Sequence, residues 1–221
     1  MIKEPQIPLF DLIMSLSTAM DLVSSAVVNH HKQVAYIAFS IGAELGLPTE
    51  QQNELVLAGA LHDIGALYLK DRIDMLQFEV ANPHHHAEIG YLLLKMFEPL
   101  SIVAALVRFH HVPWNEGGGS EFEGKQVPIG SHLLHLADRV AVLVNKRQEV
   151  LGQVKMVCER LVEHSGKMFM PKQVAAFMSL ATKEYFWLDI ASPSIGSILS
   201  GKVRLATILF PSFVFKLKTL G

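Results

Sequence analysis

Apolar residues recur at helical spacing through most of this 221-residue chain, and that periodicity limits the fold more than any other feature. Segments 9–28, 31–47, 86–98 and 128–144 each carry such a pattern, which is typical of amphipathic helices. No sustained alternation of apolar and polar residues is present, and no Asn-Gly or Asp-Gly pair suggests a hairpin. The sequence therefore predicts an all-α fold.

The helical pattern also suggests where the main domain ends. Half of the residues (50%) are hydrophobic, as a packed core requires. After residue 187 the composition shifts to a Ser- and Gly-containing stretch and then to an apolar end. We predict a helical domain over residues 1–187, followed by a linker and apolar tail over 188–221. Charged residues and a proline interrupt that tail, which is too short to span a bilayer.

Charge and cysteine content narrow the classes of function. The net charge is −2, so no basic surface argues for binding a nucleic-acid polymer. Cys158 is the single cysteine, which excludes a disulfide within the chain and suits a reducing compartment. The first residues lack the charged region and cleavage site of a signal peptide. We therefore expect a cytoplasmic protein without a transmembrane segment.

Histidines give the clearest indication of chemistry. There are eleven, and several of them, with two aspartates, fall at the ends of otherwise apolar helical segments. A lone buried histidine is usually a hydrogen-bonded core residue, but here five separate segments contribute. Imidazoles with carboxylates suit Fe, Mn, Ni, Co or Zn, and two such ions can clamp a phosphate and activate a water. The candidate ligands are His30, His62, Asp63, His86, His110, His111 and Asp138.

The order of these segments resembles the HD superfamily of metal-dependent phosphohydrolases. The matching stretches are "HHKQVA" (30–35), "LHDIG" (61–65), "HAEIG" (86–90), "FHH" (109–111) and "HLAD" (135–138). The additional histidines are similar to those of the HD-GYP branch, bacterial signal-transduction domains that hydrolyse cyclic dinucleotides, chiefly cyclic di-GMP. The resemblance implies an HD-like helical bundle with a metal site in its core.

The resemblance also implies roles for the ligands. Asp63 would bridge two divalent ions of unknown identity, and His62 and Asp63 would be the catalytic residues. His30, His62 and Asp138 would complete the shell of one ion, while His86, His110 and His111 would complete that of the other. The implied function is a phosphodiesterase on cyclic di-GMP or a related nucleotide, acting through a metal-activated hydroxide.

Several positions depart from the HD-GYP pattern. Ala66 stands where the branch usually has a phosphate-binding lysine, and Ala26 stands where members with three metals have a glutamate. Asn115 replaces an aspartate, and the Gly-Tyr-Pro loop is absent. We predict Arg139 and Arg108 as substrate-binding residues that replace the missing lysine, and Trp114, which the branch pattern shares, as a third substrate-binding residue.

These departures leave a second hypothesis open. The chain would then be a catalytically degenerate signalling module that binds metal, nucleotide or a partner protein without turnover. The apolar tail would in that case bury itself in a homodimer or against a signalling partner.

Overall fold

The fold consists almost entirely of helices connected by turns. The computed structural model describes residues 7–22, 28–67, 74, 76–78, 83–203 and 208–209. The helices are α1 (Leu9–Asp21), α2 (His30–Glu44), α3 (Thr49–Leu61), α4 (Pro83–Leu94), α5 (Ser101–Arg108), α6 (Ile129–Leu143), α7 (Val154–Glu163), α8 (Pro171–Ala181), α9 (Glu184–Ala191) and α10 (Ile195–Lys202). Single 3₁₀ segments cover Glu98–Leu100, Asn115–Ser120 and Leu151–Gln153.

The strands within the described part of the chain are two residues long. β1 (Ile7–Pro8) pairs antiparallel with β4 (Ile208–Leu209), and β2 (Glu121–Phe122) pairs antiparallel with β3 (Lys125–Gln126). They add little to a core that the helices supply, so the predicted all-α class is confirmed. None of the described helices has both the length and the apolar character needed to cross a membrane.

Helices α2 and α3 form the centre of the bundle. Helix α2 also packs against α6 and α8, and its residues Val34, Ile37 and Ile41 are fully buried. The two central helices approach closely because Gly59 has no side chain: a Cβ there would lie 2.6 Å from the Cα of Ala35. This crossing brings the start of α2 beside the end of α3.

The core continues beyond residue 187, where we expected the domain to end. Ile195 and Leu199 of α10 are fully buried, and the Nε2 of Gln33 donates a hydrogen bond to the carbonyl of Ile190 at 2.9 Å. Residues 188–202 are therefore packed helices rather than a linker, because their apolar side chains complete the surface of α2. Most of the apolar tail lies outside the described residues.

Candidate metal centre

The His62–Asp63 pair lies in the turn that follows α3. Gly65 allows this turn to lie directly on α4: a Cβ at Gly65 would overlap the carbonyl oxygen of His86 and lie 2.5 Å from the amide nitrogen of Gly90. Because both obstacles are backbone atoms, no side-chain rotation would relieve them. The glycines of "HDIG" and "HAEIG" thus bring His62 and Asp63 against His86.

One group of donors gathers where α2, α3 and α6 meet. It consists of His30, His62 and Asp138, all buried. The Nε2 of His30 lies 3.3 Å from Oδ1 of Asp138, and the Nε2 of His62 lies 3.7 Å from the same oxygen. Residues from three distant parts of the sequence therefore direct ligand atoms into one small volume.

A second group lies beside the first. It contains Asp63, His86, His110 and His111, again all buried. Oδ1 of Asp63 is 3.3 Å from Nε2 of His86 and 3.9 Å from Nε2 of His110. Its other oxygen, Oδ2, is 3.2 Å from Nε2 of His62. One carboxylate thus faces both groups, and within each group the candidate ligand atoms lie within 4.8 Å of one another.

The donor atoms fit a divalent metal because their lone pairs are otherwise unused. The Nε2 atoms of His30, His62 and His110 and the Oδ1 atoms of Asp63 and Asp138 are buried without a hydrogen bond. The Nδ1 of His62 lies 2.9 Å from the carbonyl of Gly59, and that of His110 lies 2.6 Å from the carbonyl of Val107. A proton on Nδ1 leaves Nε2 free as a ligand. Such unpaired buried groups are costly unless a cation satisfies them.

The charges of the cluster suit the same interpretation. Burial alone would raise the pKa of Asp63, but the facing His62 and His86 hold it well below the usual range. Burial would likewise raise the pKa of Asp138, but Arg139 and the facing histidines hold it well below the usual range. Burial lowers the pKa of His110 and His111 far below the ordinary value. Near neutral pH, Asp63 and Asp138 are therefore carboxylates and His110 and His111 are neutral imidazoles, which are the protonation states that metal binding requires.

His62 is the exception, and it makes metal binding dependent on pH. Burial lowers the pKa of His62, but Asp63 and Asp138 outweigh that effect and raise it to about 10. Below pH 10 a metal must displace this proton, so apparent affinity should fall as the pH falls, with release of about one proton per chain. Calorimetry of chelator-treated protein with Mn²⁺, in buffers of different ionisation enthalpy, measures that release.

A matched control is His164, which hydrogen-bonds to the carbonyl of Arg160 outside both donor groups. His164→Gln should release as many protons as the wild type. A binding enthalpy that does not change with the buffer would contradict the displacement of a proton from His62.

Arg139 lies behind the candidate ligand Asp138 and does not line an open site. It is only 1% exposed, and its Nη2 and Nε contact Oδ2 of Asp138 at 2.5 and 3.2 Å. Its Nη1 donates to the carbonyls of Gln77 and Phe78. The predicted substrate-binding role is therefore not supported, because the guanidinium is already engaged. Its position instead orients Asp138 so that Oδ1 faces His30 and His62.

Replacement of Arg139 tests this arrangement. Arg139→Lys keeps the charge but loses the planar fork that grips Oδ2 and two carbonyls, so the free energy of unfolding should fall by about 2 kcal/mol. Urea unfolding followed by circular dichroism measures the change. Arg160→Lys is the control, since Arg160 pairs with Glu163 near the surface and should change stability by less than about 0.5 kcal/mol. Equal effects would contradict the proposed role of Arg139.

The other predicted substrate contacts lie outside the two donor groups. Arg108 forms a two-point ion pair with Glu88, at 2.7 and 2.9 Å, and lines a surface cavity of about 370 Å³. Trp114 is half-buried, with its ring edge-on to His132 at 5.3 Å. Ala66 is fully buried, while Ala26 lies outside the described residues. The roles of Arg108 and Trp114 stay predictions.

Sequence reasoning missed two features near the cluster. The first is a buried pair outside the donor groups, in which the Nδ1 of His31 lies 2.7 Å from Oδ1 of Asp21. A cavity of about 310 Å³ reaches the candidate ligand His30 and is also lined by Lys146 and Arg147. The adjacent cations of "NKR" just after α6 were the signal that could have identified this second feature.

Comparisons with known proteins agree with this geometry. The chain is 29% identical over 186 residues to the 3′3′-cGAMP-specific phosphodiesterase 1 of Vibrio cholerae, covering 79% of this chain and 42% of the relative. It is 25% identical over 182 residues to a cyclic di-GMP phosphodiesterase of Thermotoga maritima, covering 78% of this chain and 49% of the relative. The chain thus spans less than half the length of these curated relatives.

A solved structure and a family profile complete the comparison. The crystal structure of a cyclic GMP-AMP specific phosphodiesterase of V. cholerae superposes with a TM-score of 0.72 over 97% of this chain and 59% of the other, at 17% identity. That likeness shows the fold. The profile of the HD domain matches residues 27–143, a segment that includes every donor of both groups. Because this segment is more than half of the 221-residue chain, the protein belongs to the HD domain family.

Proposed function

We propose that this chain hydrolyses a phosphodiester bond of a cyclic dinucleotide with the help of two divalent metal ions. The observation that carries the proposal is the pair of adjacent donor groups that Asp63 joins through its two oxygens. The cyclic-dinucleotide phosphodiesterases among its relatives support the substrate class.

The metals would supply Lewis-acid stabilisation of the phosphate and a water of lowered pKa. His30, His62 and Asp138 would hold one ion, and His86, His110 and His111 would hold the other. Asp63 would fix the separation between them. Arg139 would keep Asp138 ionised and oriented, because its guanidinium neutralises Oδ2 and leaves Oδ1 for the ion.

Lys146 and Arg147 would supply the positive charge that Ala66 lacks. They line the cavity that reaches His30, so a phosphate entering there would meet both cations near the first donor group. This proposal also explains why a buried alanine is tolerated after the "HDIG" turn. It gives the cavity beside His30, rather than the one beside Arg108, as the path to the metals.

The test is purification with Mn²⁺ or Fe²⁺, elemental analysis, and assays with cyclic di-GMP, 3′3′-cyclic GMP-AMP and bis(p-nitrophenyl) phosphate. We expect about two ions per chain and turnover of at least one cyclic dinucleotide. Protein that holds two ions yet hydrolyses none of the three would contradict the proposal.

One observation favours the alternative hypothesis, that the chain is a signalling module without catalytic activity. The region expected to hold the Gly-Tyr-Pro loop instead forms the 3₁₀ segment Asn115–Ser120 and the β2–β3 hairpin. Backbone hydrogen bonds from Trp114 to Met168 and from Glu116 to Gly166 tie it to the α7–α8 connection. Calorimetric binding of cyclic di-GMP without any turnover would favour this module over the phosphodiesterase.

A further inference from the structure

We propose that Asp21 and His31 are positioning residues that hold His30 in place for the ion of the first donor group. Neither residue belongs to a donor group itself. Together they connect the end of α1 to the first turn of α2, which begins at His30. The inference rests on the proposed function, because it explains how one ligand of the proposed two-ion site is kept in its orientation.

His30 differs from two other candidate ligands in how its ring is held. In His62 and in His110, the Nδ1 lies within hydrogen-bond distance of the carbonyl three residues earlier, at 2.9 and 2.6 Å. Within the described part of the chain, the Nδ1 of His30 has no such bond. Its Nε2 nevertheless faces Oδ1 of Asp138 at 3.3 Å. The ring of His30 therefore depends on its neighbours for its orientation.

The ring of His31 packs against that of His30. Its centroid lies 5.5 Å from the centroid of His30 and 5.4 Å from that of His62, with the ring planes inclined at 68° and 53°. The centroids of His30 and His62 are 5.3 Å apart, so the three imidazoles form a compact triangle. Rings packed this closely cannot turn independently. A fixed His31 therefore limits the rotation of His30.

Asp21 fixes His31 through one of its two carboxylate oxygens. Its Oδ1 accepts a hydrogen bond from the Nδ1 of His31 at 2.7 Å, and both side chains are buried. A hydrogen bond to a carboxylate is stronger than one between neutral groups. The pair therefore anchors the ring of His31 more firmly than packing alone would.

The other oxygen of Asp21 holds the backbone at the start of α2. Oδ2 accepts the backbone N–H of Asn29 at 2.9 Å, and the Nζ of Lys32 lies 4.0 Å from the same oxygen. Asn29 directly precedes His30 and has a left-handed backbone, with φ 62°. A negative charge near the start of a helix is also favourable. Asp21 thus sets both the backbone of His30 and, through His31, the packing of its ring.

Calorimetric titration of chelator-treated protein with Mn²⁺ tests the inference without any turnover. Asp21→Leu preserves much of the side-chain volume but removes both acceptor oxygens. We expect this variant to weaken one of the two Mn²⁺-binding steps about tenfold, the lower end of the effect of losing a group that supports a metal ligand. The other step should be unchanged, because the second donor group lies on other segments.

Asp21→Asn should restore the weakened step. Its amide oxygen can accept the backbone N–H of Asn29, and its amide N–H can donate to the Nδ1 of His31 once the ring proton lies on Nε2. Binding close to that of the wild type would show that the hydrogen bonds, rather than the charge of Asp21, position His30.

Tyr36→Phe is the matched control on the same helix. The hydroxyl of Tyr36 donates to Oδ2 of Asp189 at 2.6 Å and so links α2 to α9, and neither residue belongs to a donor group. This variant should unfold at a lower urea concentration than the wild type but bind both ions equally well. A general loss of stability is thereby separated from a loss of positioning.

His31→Asn provides a second test, should Asp21→Leu fail to fold. The amide of asparagine keeps a donor for Asp21, but no ring remains against His30. The same Mn²⁺-binding step should therefore weaken.

Four results would overturn the positioning role: unchanged Mn²⁺ binding in a folded Asp21→Leu or in His31→Asn, equal weakening of both steps in either variant, the same weakening in Tyr36→Phe, and no recovery in Asp21→Asn. The proposed function fails separately. Wild-type protein that hydrolyses no diester, but whose Mn²⁺ binding responds to these variants as expected, supports the positioning role and contradicts catalysis. An active protein whose Mn²⁺ binding is insensitive to Asp21→Leu contradicts the positioning role alone.

Discussion

Asp63→Asn should release the metals and abolish turnover. The change preserves the shape of the side chain but removes the negative charge whose two oxygens face His62 on one side and His86 on the other. Losing even a group that only supports a metal ligand commonly costs about 10–100-fold in affinity or activity. We therefore expect at least about a hundredfold loss of activity and fewer than two ions per chain by elemental analysis.

Asp189→Asn serves as the control for this substitution. Asp189 is half-buried and accepts a hydrogen bond from Tyr36 at 2.6 Å, and an asparagine oxygen can accept the same bond. This variant should retain its metal and activity. If Asp63→Asn kept both ions, Asp63 would not bridge them, whatever the assay showed.

Gly65→Ala should disrupt the fold around the metal centre. The added Cβ would overlap the backbone of His86 and lie 2.5 Å from the amide nitrogen of Gly90, so either the turn or α4 must move. Overpacking of a core typically costs about 1–3 kcal/mol, and a clash with two backbone atoms should reach at least the top of that range. Urea unfolding measures the loss of stability, and elemental analysis measures the accompanying loss of metal.

Two other glycines serve as controls for the loss of stability and metal in Gly65→Ala. A Cβ at Gly201, in α10, would meet nothing within 4 Å, so Gly201→Ala should be neutral or slightly stabilising. Gly90→Ala should be intermediate, because its nearest obstacle is a side-chain methyl of Val107 at 3.0 Å. A Gly65→Ala protein as stable and as metal-rich as the Gly201→Ala protein would refute the argument.

The positions of the donors could be predicted from sequence because the motifs are local. His62 and Asp63 follow an apolar helix directly, and the glycine two residues later is visible in the sequence. The sequence did not show that this glycine is needed for contact with α4, since the two segments meet only in the folded chain. It also did not show that Thr182 and Lys183 separate α8 from α9, because neither residue is a helix breaker.

Arg139 illustrates the limit of such reasoning. An arginine next to a ligand on a helix looks equally able to reach a phosphate or to turn back on its neighbour. In the structure Arg139 turns back on its neighbour Asp138. Its guanidinium also binds the carbonyls of Gln77 and Phe78, which belong to a segment more than sixty residues away in the sequence. Partners so distant in sequence leave no local pattern. The same reason explains why the Gln33–Ile190 hydrogen bond could not be anticipated.

The contact between Gly59 and Ala35 bears on which ions the protein accepts. Because backbone meets backbone at this point, no side chain lies between Gly59 and Ala35 to adjust when one helix shifts. This contact should restrict changes in the spacing between His30, at the start of one helix, and His62, after the end of the other. Selectivity among cations depends on ligand number, cavity size and flexibility, so this inflexible frame should favour small transition metals over the larger calcium ion.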